Sequence, residues 1–212
     1  MSDAPHSRLR VLRRTPARFF CRCRPRRRHA HLGRGRPGRA PVTMRPTLRP
    51  IRAADHAFLR SVYAAARAQQ IALSGWDVAT ADAYVRMQFD AQNGFYRKRY
   101  PAGHFDLVLD GDIAVGRLYV AREAQRIHVI DLAMLPAYRN RGAGSALLAA
   151  LQREAGARGA AVTTHVELNN RSISLYQRFG FREISSAGFH RLMEWRTDAP
   201  PGSIHGQSVC KA

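Results

Sequence analysis

The segment best suited to bind an anion is the glycine-rich run Arg139-Asn140-Arg141-Gly142-Ala143-Gly144. Successive backbone N–H groups of such a turn form a concave set of donors, and the dipole of a following helix adds partial positive charge. Gly142 and Gly144 leave the backbone open to an approaching phosphate, and Arg139 and Arg141 can add charge pairing. The run therefore predicts a pyrophosphate site, although a tight helix start would show the same glycines.

A second group of residues suited to chemistry lies in the segment Asn169–Phe181. Its polar members include two adjacent asparagines, Asn169 and Asn170, and the phenol of Tyr176. An asparagine near a helix start commonly caps that helix, and a tyrosine in an apolar stripe commonly packs in the core with its hydroxyl bonded. From the residues alone, a structural role and a role in a binding site are both open.

These segments belong to a pattern of strands and helices that begins at Met44. The Asp110-Gly111 pair predicts a hairpin turn, and the strand Arg126–Met134 is apolar on both faces, which predicts a central place in a sheet. The order indicates an α/β protein with a mixed sheet. In chain order we predict a strand at Thr47–Ile51, a helix capped by Asp55 and running through Ala66, a helix at Asp77–Asp90, strands at His104–Leu109, Ile113–Ala121 and Arg126–Met134, a helix at Gly144–Ala155, a strand at Ala161–Val166, a helix at Asn170–Phe179, and strands at Phe181–Ser185 and Phe189–Trp195.

The segment Asp131–Leu151 resembles the acetyl-CoA motif of the GNAT superfamily of N-acetyltransferases. Arg139, Gly142 and Gly144 match the pattern of Arg or Gln, two residues, Gly, any residue, and Gly or Ala, and Pro136 stands where the family commonly has proline. The resemblance covers about residues 45–196, because the element order and the distal segment also match. It implies a GNAT-like fold: a mixed, mostly antiparallel central sheet (β-α-α-β-β-β-α-β-α-β-β) flanked by helices.

The resemblance also implies acetyl-CoA as co-substrate and a role for each motif. The strand before the turn is expected to splay from the next strand, so that its backbone groups pair with the pantetheine arm and the acetyl carbonyl, where an N–H would stabilise an oxyanion. Tyr176 is expected to protonate the departing thiolate. An asparagine contacts the cofactor, and we prefer Asn170 to Asn169 because Val166, four residues earlier, fits the strand pattern. The implied acetyl-CoA residues are Leu132, Ala133, Met134, Arg139, Asn140, Arg141, Gly142, Ala143, Gly144, Ser145, Asn169 and Asn170.

Transfer to an amine also calls for a general base, since an alkyl ammonium with a pKa near ~10.4 is almost fully protonated at pH 7. We rank Glu167 first, Asp131 second and His165 third as candidates. Some family members carry a Glu near the position of Thr164, which cannot serve, so the base stays open. Each candidate could instead be a structural or surface polar group, and water could relay the proton.

Most of the formal charge of +20 lies outside the patterned region. Residues 1–43 hold 13 of the 35 basic residues and one acidic residue, with no helical or strand period, which predicts disorder. Three interpretations are open: a nucleic-acid arm, a transit peptide, and upstream codons translated ahead of a native start at Met44. We favour the third because Met44 directly precedes the first patterned segment. A disordered tail is expected at 199–212, which leaves 44–198 as the acetyltransferase domain.

Neither a metal nor a membrane is expected from the sequence. The cysteines are Cys21, Cys23 and Cys210, all outside the patterned region, and the pair Cys21 and Cys23 lacks the further ligands of a zinc site. No apolar run approaches the roughly 18 residues of a membrane-spanning helix. We therefore expect a soluble, cytoplasmic protein.

The expected function is acetyl-CoA-dependent N-acetyl transfer to a primary amine of a small molecule, peptide or protein, by direct attack. The alternative is a non-catalytic acyl-CoA-binding protein of the same fold. Nucleic acid is not an expected partner, because the basic excess concentrates in residues 1–43. A homodimer is an open expectation, since dimers are common among similar proteins.

Overall fold

A computed structural model describes residues 44–197. The predicted extension 1–43, the predicted tail 199–212 and the cysteines Cys21, Cys23 and Cys210 lie outside the described residues. No helix within the described range combines the length and apolarity needed to cross a membrane.

The strands and helices follow the predicted order, which confirms the α/β class. Two short 3₁₀ turns, Ala53–Asp55 and Pro136–Tyr138, precede the first and third helices. The strands are β1 (Thr47–Pro50), β2 (His104–Asp110), β3 (Ile113–Arg122), β4 (Arg126–Met134), β5 (Ala161–Glu167), β6 (Arg182–Ala187) and β7 (His190–Trp195). The helices are α1 (His56–Leu73), α2 (Val78–Arg99), α3 (Ala143–Ala157) and α4 (Ile173–Arg178).

All the described strands join one sheet in the order β1-β2-β3-β4-β5-β7-β6. Neighbouring strands are antiparallel except for β4 and β5, which run parallel. The sheet is therefore mixed and mostly antiparallel, as expected. Strand β4 lies at its centre, where its apolar residues are covered on both faces.

Two hydrophobic cores occupy the two faces of this sheet. The first core packs α3 and α4 against the sheet around Val129, Leu148 and Val162, and includes Met44 at its edge. The second core packs α1 and α2 around Phe89, Leu107 and Tyr119. Helices α3 and α4 lie on one face and α1 and α2 on the other. Residues from both faces therefore border the junction of β4 and β5.

Several predicted boundaries differ from the structure, and three of them have an evident cause. Helix α2 continues past the predicted end at Asp90 to Arg99, because Tyr96 extends the stripe that packs on the second core. Helix α4 begins at Ile173 rather than at Asn170, since the preceding residues form a turn closed by the Ile173 N–H on the Asn170 carbonyl oxygen. The hairpin turn consists of Gly111 and its successor, one residue later than predicted.

Asp55 occupies the N-cap position of α1, as predicted, but its side chain has a different role. The Asp55 side chain makes no hydrogen bond to the first turn of α1. Its carboxylate instead accepts from the Arg49 guanidinium, at 2.9 and 3.1 Å, and from the Arg52 backbone N–H at 2.7 Å. The Arg49 guanidinium holds the pKa of Asp55 below its usual value. Asp55 therefore joins β1 to the 3₁₀ turn that leads into α1.

Candidate functional site

A wedge opens between β4 and β5 where their hydrogen-bonded ladder ends. Residues Arg126–Val129 pair with Ala161–Thr164, and the described strands continue beyond this point without pairing to each other. We call the space between residues 130–134 and 165–167 the wedge. Because the two strands are parallel, the wedge opens at the edge of the sheet where both have their C-terminal ends.

A β-bulge in β4 marks the start of the wedge. Val120 of β3 pairs with Val129, whereas the preceding Tyr119 pairs with Asp131, so Ile130 is an extra residue in β4. A bulge bends its strand and interrupts the ladder locally. Strand β4 therefore changes direction one residue beyond its last pair with β5.

The glycine-rich turn leads directly into α3. Asn140 has a φ of 59° and Gly142, the N-cap of α3, has a φ of 86°. The first bond of the helix runs from the Ala146 N–H to the Gly142 carbonyl oxygen at 2.9 Å. The amides of residues 143–145 precede that bond, and such N–H groups have no partner within a helix. The turn thus presents amide donors and the positive end of the α3 dipole at one point.

The two arginines of the turn contact the protein itself. The Arg139 guanidinium donates to the Met134 carbonyl oxygen at 2.9 Å and to the Ala65 carbonyl oxygen at 3.3 Å. Arg141 lies over the Tyr138 ring, with its guanidinium carbon 5.2 Å from the ring centre. Arg139 therefore ties the turn to the end of β4 and to α1, a contact that the sequence did not predict.

Gly144 lies against α4. A β-carbon added at this position would come within 3.2 Å of Leu175 Cδ2. The side of Gly144 where a side chain would stand therefore faces the neighbouring helix. Close packing against α4 therefore accounts for a glycine at this position, in addition to the phosphate access predicted from the sequence.

Tyr176 lies buried in the first core, below the wedge. It is 5% exposed, and its ring packs edge-on against Phe181 at a centroid distance of 5.3 Å. Burial raises the pKa of Tyr176 to about 12, with the neighbouring Thr164 hydroxyl opposing the rise and the Asp131 carboxylate adding to it. The phenol therefore stays protonated at neutral pH and lies near both strands that border the wedge.

The two asparagines occupy the exposed turn between β5 and α4. The Asn170 side-chain oxygen accepts a hydrogen bond from the Ser172 N–H at 2.9 Å. Asn170 thus organises the start of α4, which is the structural one of the two roles, structural or ligand-binding, that the sequence left open. Asn169 directly precedes it in the same turn.

Asp131 lies on the α1 and α2 face and pairs with a buried arginine. Its carboxylate oxygen is 2.6 Å from the Arg117 guanidinium, and the two side chains are 15% and 3% exposed. Arg117 also donates to the Gln92 side-chain oxygen at 3.0 Å. Burial alone would lower the pKa of Arg117, but the Asp131 carboxylate and the nearby phenols of Tyr119 and Tyr96 together outweigh this effect, and the pKa is raised. The Asp131 carboxylate is therefore held by a fully charged partner.

Glu167 and His165 lie at the end of β5, on the rim of the wedge. Glu167 is half-exposed and its carboxylate is 3.5 Å from the Arg67 guanidinium of α1. His165 is exposed, and its ring meets the buried His128 ring of β4 edge-on at 5.2 Å. The three predicted base candidates thus surround the wedge on one face of the sheet, each with a different partner.

Three residues of this region escaped the sequence analysis: Arg117, His128 and Thr164. Thr164 was considered only as a base, which it cannot be, whereas the structure places its hydroxyl beside Tyr176 and 3.1 Å from the Val129 carbonyl oxygen. The sequence does contain a signal for Arg117 and His128, because each is a charged or titratable residue inside an apolar strand. Arg117 and His128 both interrupt such strands.

Solved structures share this fold. The chain matches the PaiA N-acetyltransferase of Thermoplasma acidophilum, crystallised with coenzyme A, with a TM-score of 0.55 at 17% identity, over 73% of this chain and 100% of that one. An acetyltransferase from Thermus thermophilus matches with a TM-score of 0.54 at 22% identity, over 74% and 99%. A Corynebacterium glutamicum protein described as histone acetyltransferase HPA2 and related acetyltransferase matches with a TM-score of 0.52 at 26% identity, over 76% and 100%.

No curated protein sequence matches the chain. The model of the acetyltransferase (GNAT) family matches residues 62–181, more than half of the chain. This range includes the wedge, the glycine-rich turn and Tyr176. The chain belongs to the GNAT family of acetyltransferases.

Proposed function

We propose that this acetyltransferase moves the acetyl group of acetyl-CoA to a primary amine of a small molecule, peptide or protein, by direct attack of the amine. The observation that carries the proposal is the wedge between β4 and β5, which has the N-terminus of α3 beside it and the buried Tyr176 below it. These features offer an anion site, an extended binding edge and a proton donor within one opening.

The residues around the wedge fit coenzyme A. The amides of Ala143, Gly144 and Ser145 and the positive end of the α3 dipole suit the pyrophosphate. The backbone of Leu132, Ala133 and Met134 suits the amide-containing pantetheine arm, because these residues lie beyond the last pair with β5. Acetyl-CoA supplies the activated acetyl group and a thiolate leaving group.

Arg139 and Arg141 lie beside the proposed pyrophosphate site. Each now contacts the protein, and each guanidinium has donors left for a phosphate. Asn169 is the asparagine that we favour for a contact with the co-substrate, because the Asn170 side-chain oxygen is already bound by the Ser172 N–H. Asn140, with its left-handed backbone, completes the turn.

Tyr176 is our general acid. Its pKa of about 12 keeps the phenol protonated, and a departing thiolate with a pKa near ~8.5 needs only modest help in gaining a proton. The amine loses its proton on the opposite side of the wedge, where Glu167, Asp131 and His165 are the candidates. Because both carboxylates are paired with arginines, a non-catalytic acyl-CoA-binding protein is the alternative.

Two measurements test the proposal. Calorimetry of residues 1–212 with CoA and acetyl-CoA should show binding below about 100 µM. Thiol release from acetyl-CoA should then rise when one member of a panel of primary amines is added. Absence of binding would overturn both CoA-based functions, and binding without amine-dependent thiol release would leave the non-catalytic alternative.

A further inference from the structure

His128 is a buried histidine with no part in the proposed co-substrate site. It is 5% exposed and lies in the short stretch of parallel pairing just before the wedge, opposite Thr163. Its Nδ1 is 2.9 Å from the Thr163 hydroxyl oxygen. The Tyr100 ring stacks on it at 5.7 Å, and the His165 ring meets it edge-on at 5.2 Å. The imidazole is thus held on several sides in one orientation.

His165 lies where this short pairing ends and the wedge begins. It follows Thr164, whose hydroxyl lies beside Tyr176. Because successive side chains of a strand point to opposite faces, His165 and Thr164 lie on opposite sides of the sheet. An amine that enters from the α1 and α2 face would therefore meet His165. The proposed general acid, Tyr176, lies on the opposite face of the sheet.

The two carboxylates near the wedge are less suited to take a proton. Asp131 is neutralised by the buried Arg117 at 2.6 Å, and Glu167 lies 3.5 Å from Arg67. A carboxylate that forms an ion pair with a guanidinium is a weaker base than a free one. His165 has no such acidic partner among the contacts of the described residues; its ring contact is with His128.

Partial burial, together with nearby basic residues, keeps the imidazole of His165 neutral. Burial lowers the pKa of His165, and its electrostatic interactions with His190 on β7 and Arg126 on β4 lower it further. His128 stays neutral as well, because burial lowers its pKa to about 4, with His165 and Arg126 adding to the effect. Glu167 is the acidic residue on the same strand, and it is drawn to Arg67. At neutral pH both rings are therefore uncharged, and His165 is free to accept a proton.

We propose that His165 is the general base of the transfer, and that His128, held by Thr163, is the residue that positions it. This inference rests on the proposed function. The amine nitrogen bonds to the acetyl carbon, and the carbonyl electron pair moves to oxygen. The imidazole of His165 takes a proton from the new ammonium nitrogen. The oxygen electron pair then re-forms the carbonyl as the carbon–sulfur bond breaks, which gives the amide. The thiolate takes the proton of Tyr176, the imidazolium gives its proton to water, and the phenolate regains a proton from water.

The main test compares four variants, each assayed with the amine that gives the fastest thiol release. His165→Gln should lower kcat about 100-fold, as expected for loss of a general base, with acetyl-CoA affinity by calorimetry unchanged within about twofold. Glu167→Gln tests the rival base and should lower kcat less than about threefold. His104→Gln replaces an exposed histidine of β2 and should match the wild type. Free imidazole should restore part of the activity of His165→Gly.

The pH profile gives an independent readout. Wild-type kcat/KM, expressed per concentration of neutral amine, should fall as the pH drops through the lowered pKa of His165, because protonation removes the base. This acidic limb should disappear in His165→Gln and persist in Glu167→Gln. If His165→Gln keeps more than about a third of the activity, or if Glu167→Gln alone abolishes the limb, the inference is overturned.

Variants of His128 test positioning separately from folding. His128→Leu should lower kcat about tenfold with little change in the KM for acetyl-CoA, because the Thr163 bond and the contact with His165 are lost. His128→Asn, whose side-chain amide can still bond to Thr163, should recover part of the loss. Equal activities of the two variants would overturn the positioning role.

The outcomes also separate this inference from the proposed function. If the wild-type protein binds no acetyl-CoA, or no amine increases thiol release, the proposed function fails and the inference fails with it. If the wild type transfers acetyl and His165→Gln transfers it equally well, the inference alone fails.

Discussion

The two faces of the sheet meet at the same wedge but are built from different interactions. On the α3 and α4 face, the proposed co-substrate site consists mainly of backbone: a glycine-rich turn, helix amides and the bulged end of β4. On the α1 and α2 face, the wedge is bordered by charged and titratable side chains, with Arg117 paired to Asp131, Arg67 near Glu167 and His128 against His165. The first arrangement suits the phosphate and amide groups of the proposed co-substrate, and the second holds the candidate bases for the proposed amine.

The largest expected effect comes from breaking the buried ion pair on the α1 and α2 face. Asp131→Asn removes the counter-charge of Arg117, which is only 3% exposed. A buried charge left without its partner is strongly destabilising, so the free energy of unfolding should fall by about 3 kcal/mol. Urea denaturation at pH 7 measures this difference.

Arg122 and Glu154 provide the matched control. Their ion pair has a distance of 2.7 Å, close to that of the buried pair, but each side chain is about one-third exposed. Glu154→Gln should therefore cost no more than about 1 kcal/mol. The double replacement Arg117→Met with Asp131→Leu should recover most of the loss, because it removes both buried charges. Equal costs for Asp131→Asn and Glu154→Gln would contradict the contrast between the two faces.

The next largest effect concerns Tyr176, the tyrosine below the wedge on the α3 and α4 face. Tyr176→Phe should lower kcat about 100-fold, the lower range for a general acid, because a thiolate is already a fair leaving group. Acetyl-CoA affinity should stay within about twofold, which calorimetry measures. Between pH 7 and 10 the wild-type rate should show no loss from ionisation of Tyr176, whose pKa is about 12.

Tyr119 offers a control of equal burial on the opposite face. It is 1% exposed and lies in the second core, against 5% for Tyr176 in the first. Tyr119→Phe should change thiol release less than about twofold, because its hydroxyl lies away from the leaving group. A similar loss in both variants would show that Tyr176 acts through packing.

His128, on the α1 and α2 face, should make the stability of the protein depend on pH. Burial lowers its pKa to about 4, whereas the unfolded chain has a histidine pKa near ~6.5. Above pH 6.5 the imidazole is neutral in both states, and the full stability is present. As the pH falls to ~5, the unfolded chain gains a proton that the folded chain excludes, which lowers the free energy of unfolding by about 2 kcal/mol, and the fall continues down to pH ~4.

The measurement is a series of urea denaturations between pH 4 and 7. His128→Gln should show a shallower fall with decreasing pH than the wild type, while the exposed His104→Gln should keep the wild-type slope. Identical slopes for His128→Gln and the wild type would show that His128 is not kept neutral by the fold.

The fold was largely predictable because its main signals are local. Apolar residues on both faces of Arg126–Met134 indicated the central strand, and the structure has β4 with those bounds. The helix after the glycine-rich turn was equally clear. Boundaries set by tertiary contacts were missed: α2 continues to Arg99 because it packs on the second core, and α4 shortens because Asn170 forms a turn before it.

The candidate site was predictable only where it is made of backbone. The glycine spacing indicated the turn before α3, and Gly142 does have a left-handed φ. The pairing of Arg117 with Asp131 depends on the register of β3 and β4 across a bulge, which the sequence does not display. The contact of His128 with His165 depends on the parallel register of β4 and β5. Such side-chain pairs follow from topology rather than from motif spacing.

The smallest effect concerns the two glycines of the turn, Gly142 and Gly144, for which the sequence predicted the same role. Gly142 has a φ of 86°, so Gly142→Ala strains the turn by about 1 kcal/mol and should weaken acetyl-CoA binding roughly tenfold. Gly144 lies in the first turn of α3, where alanine favours the helix by about 1 kcal/mol, and its β-carbon would meet the flexible end of Leu175 at 3.2 Å. The two terms nearly cancel, so Gly144→Ala should change both unfolding free energy and acetyl-CoA affinity little. A tenfold loss of affinity in Gly144→Ala would mean that this glycine also gives phosphate access to the backbone.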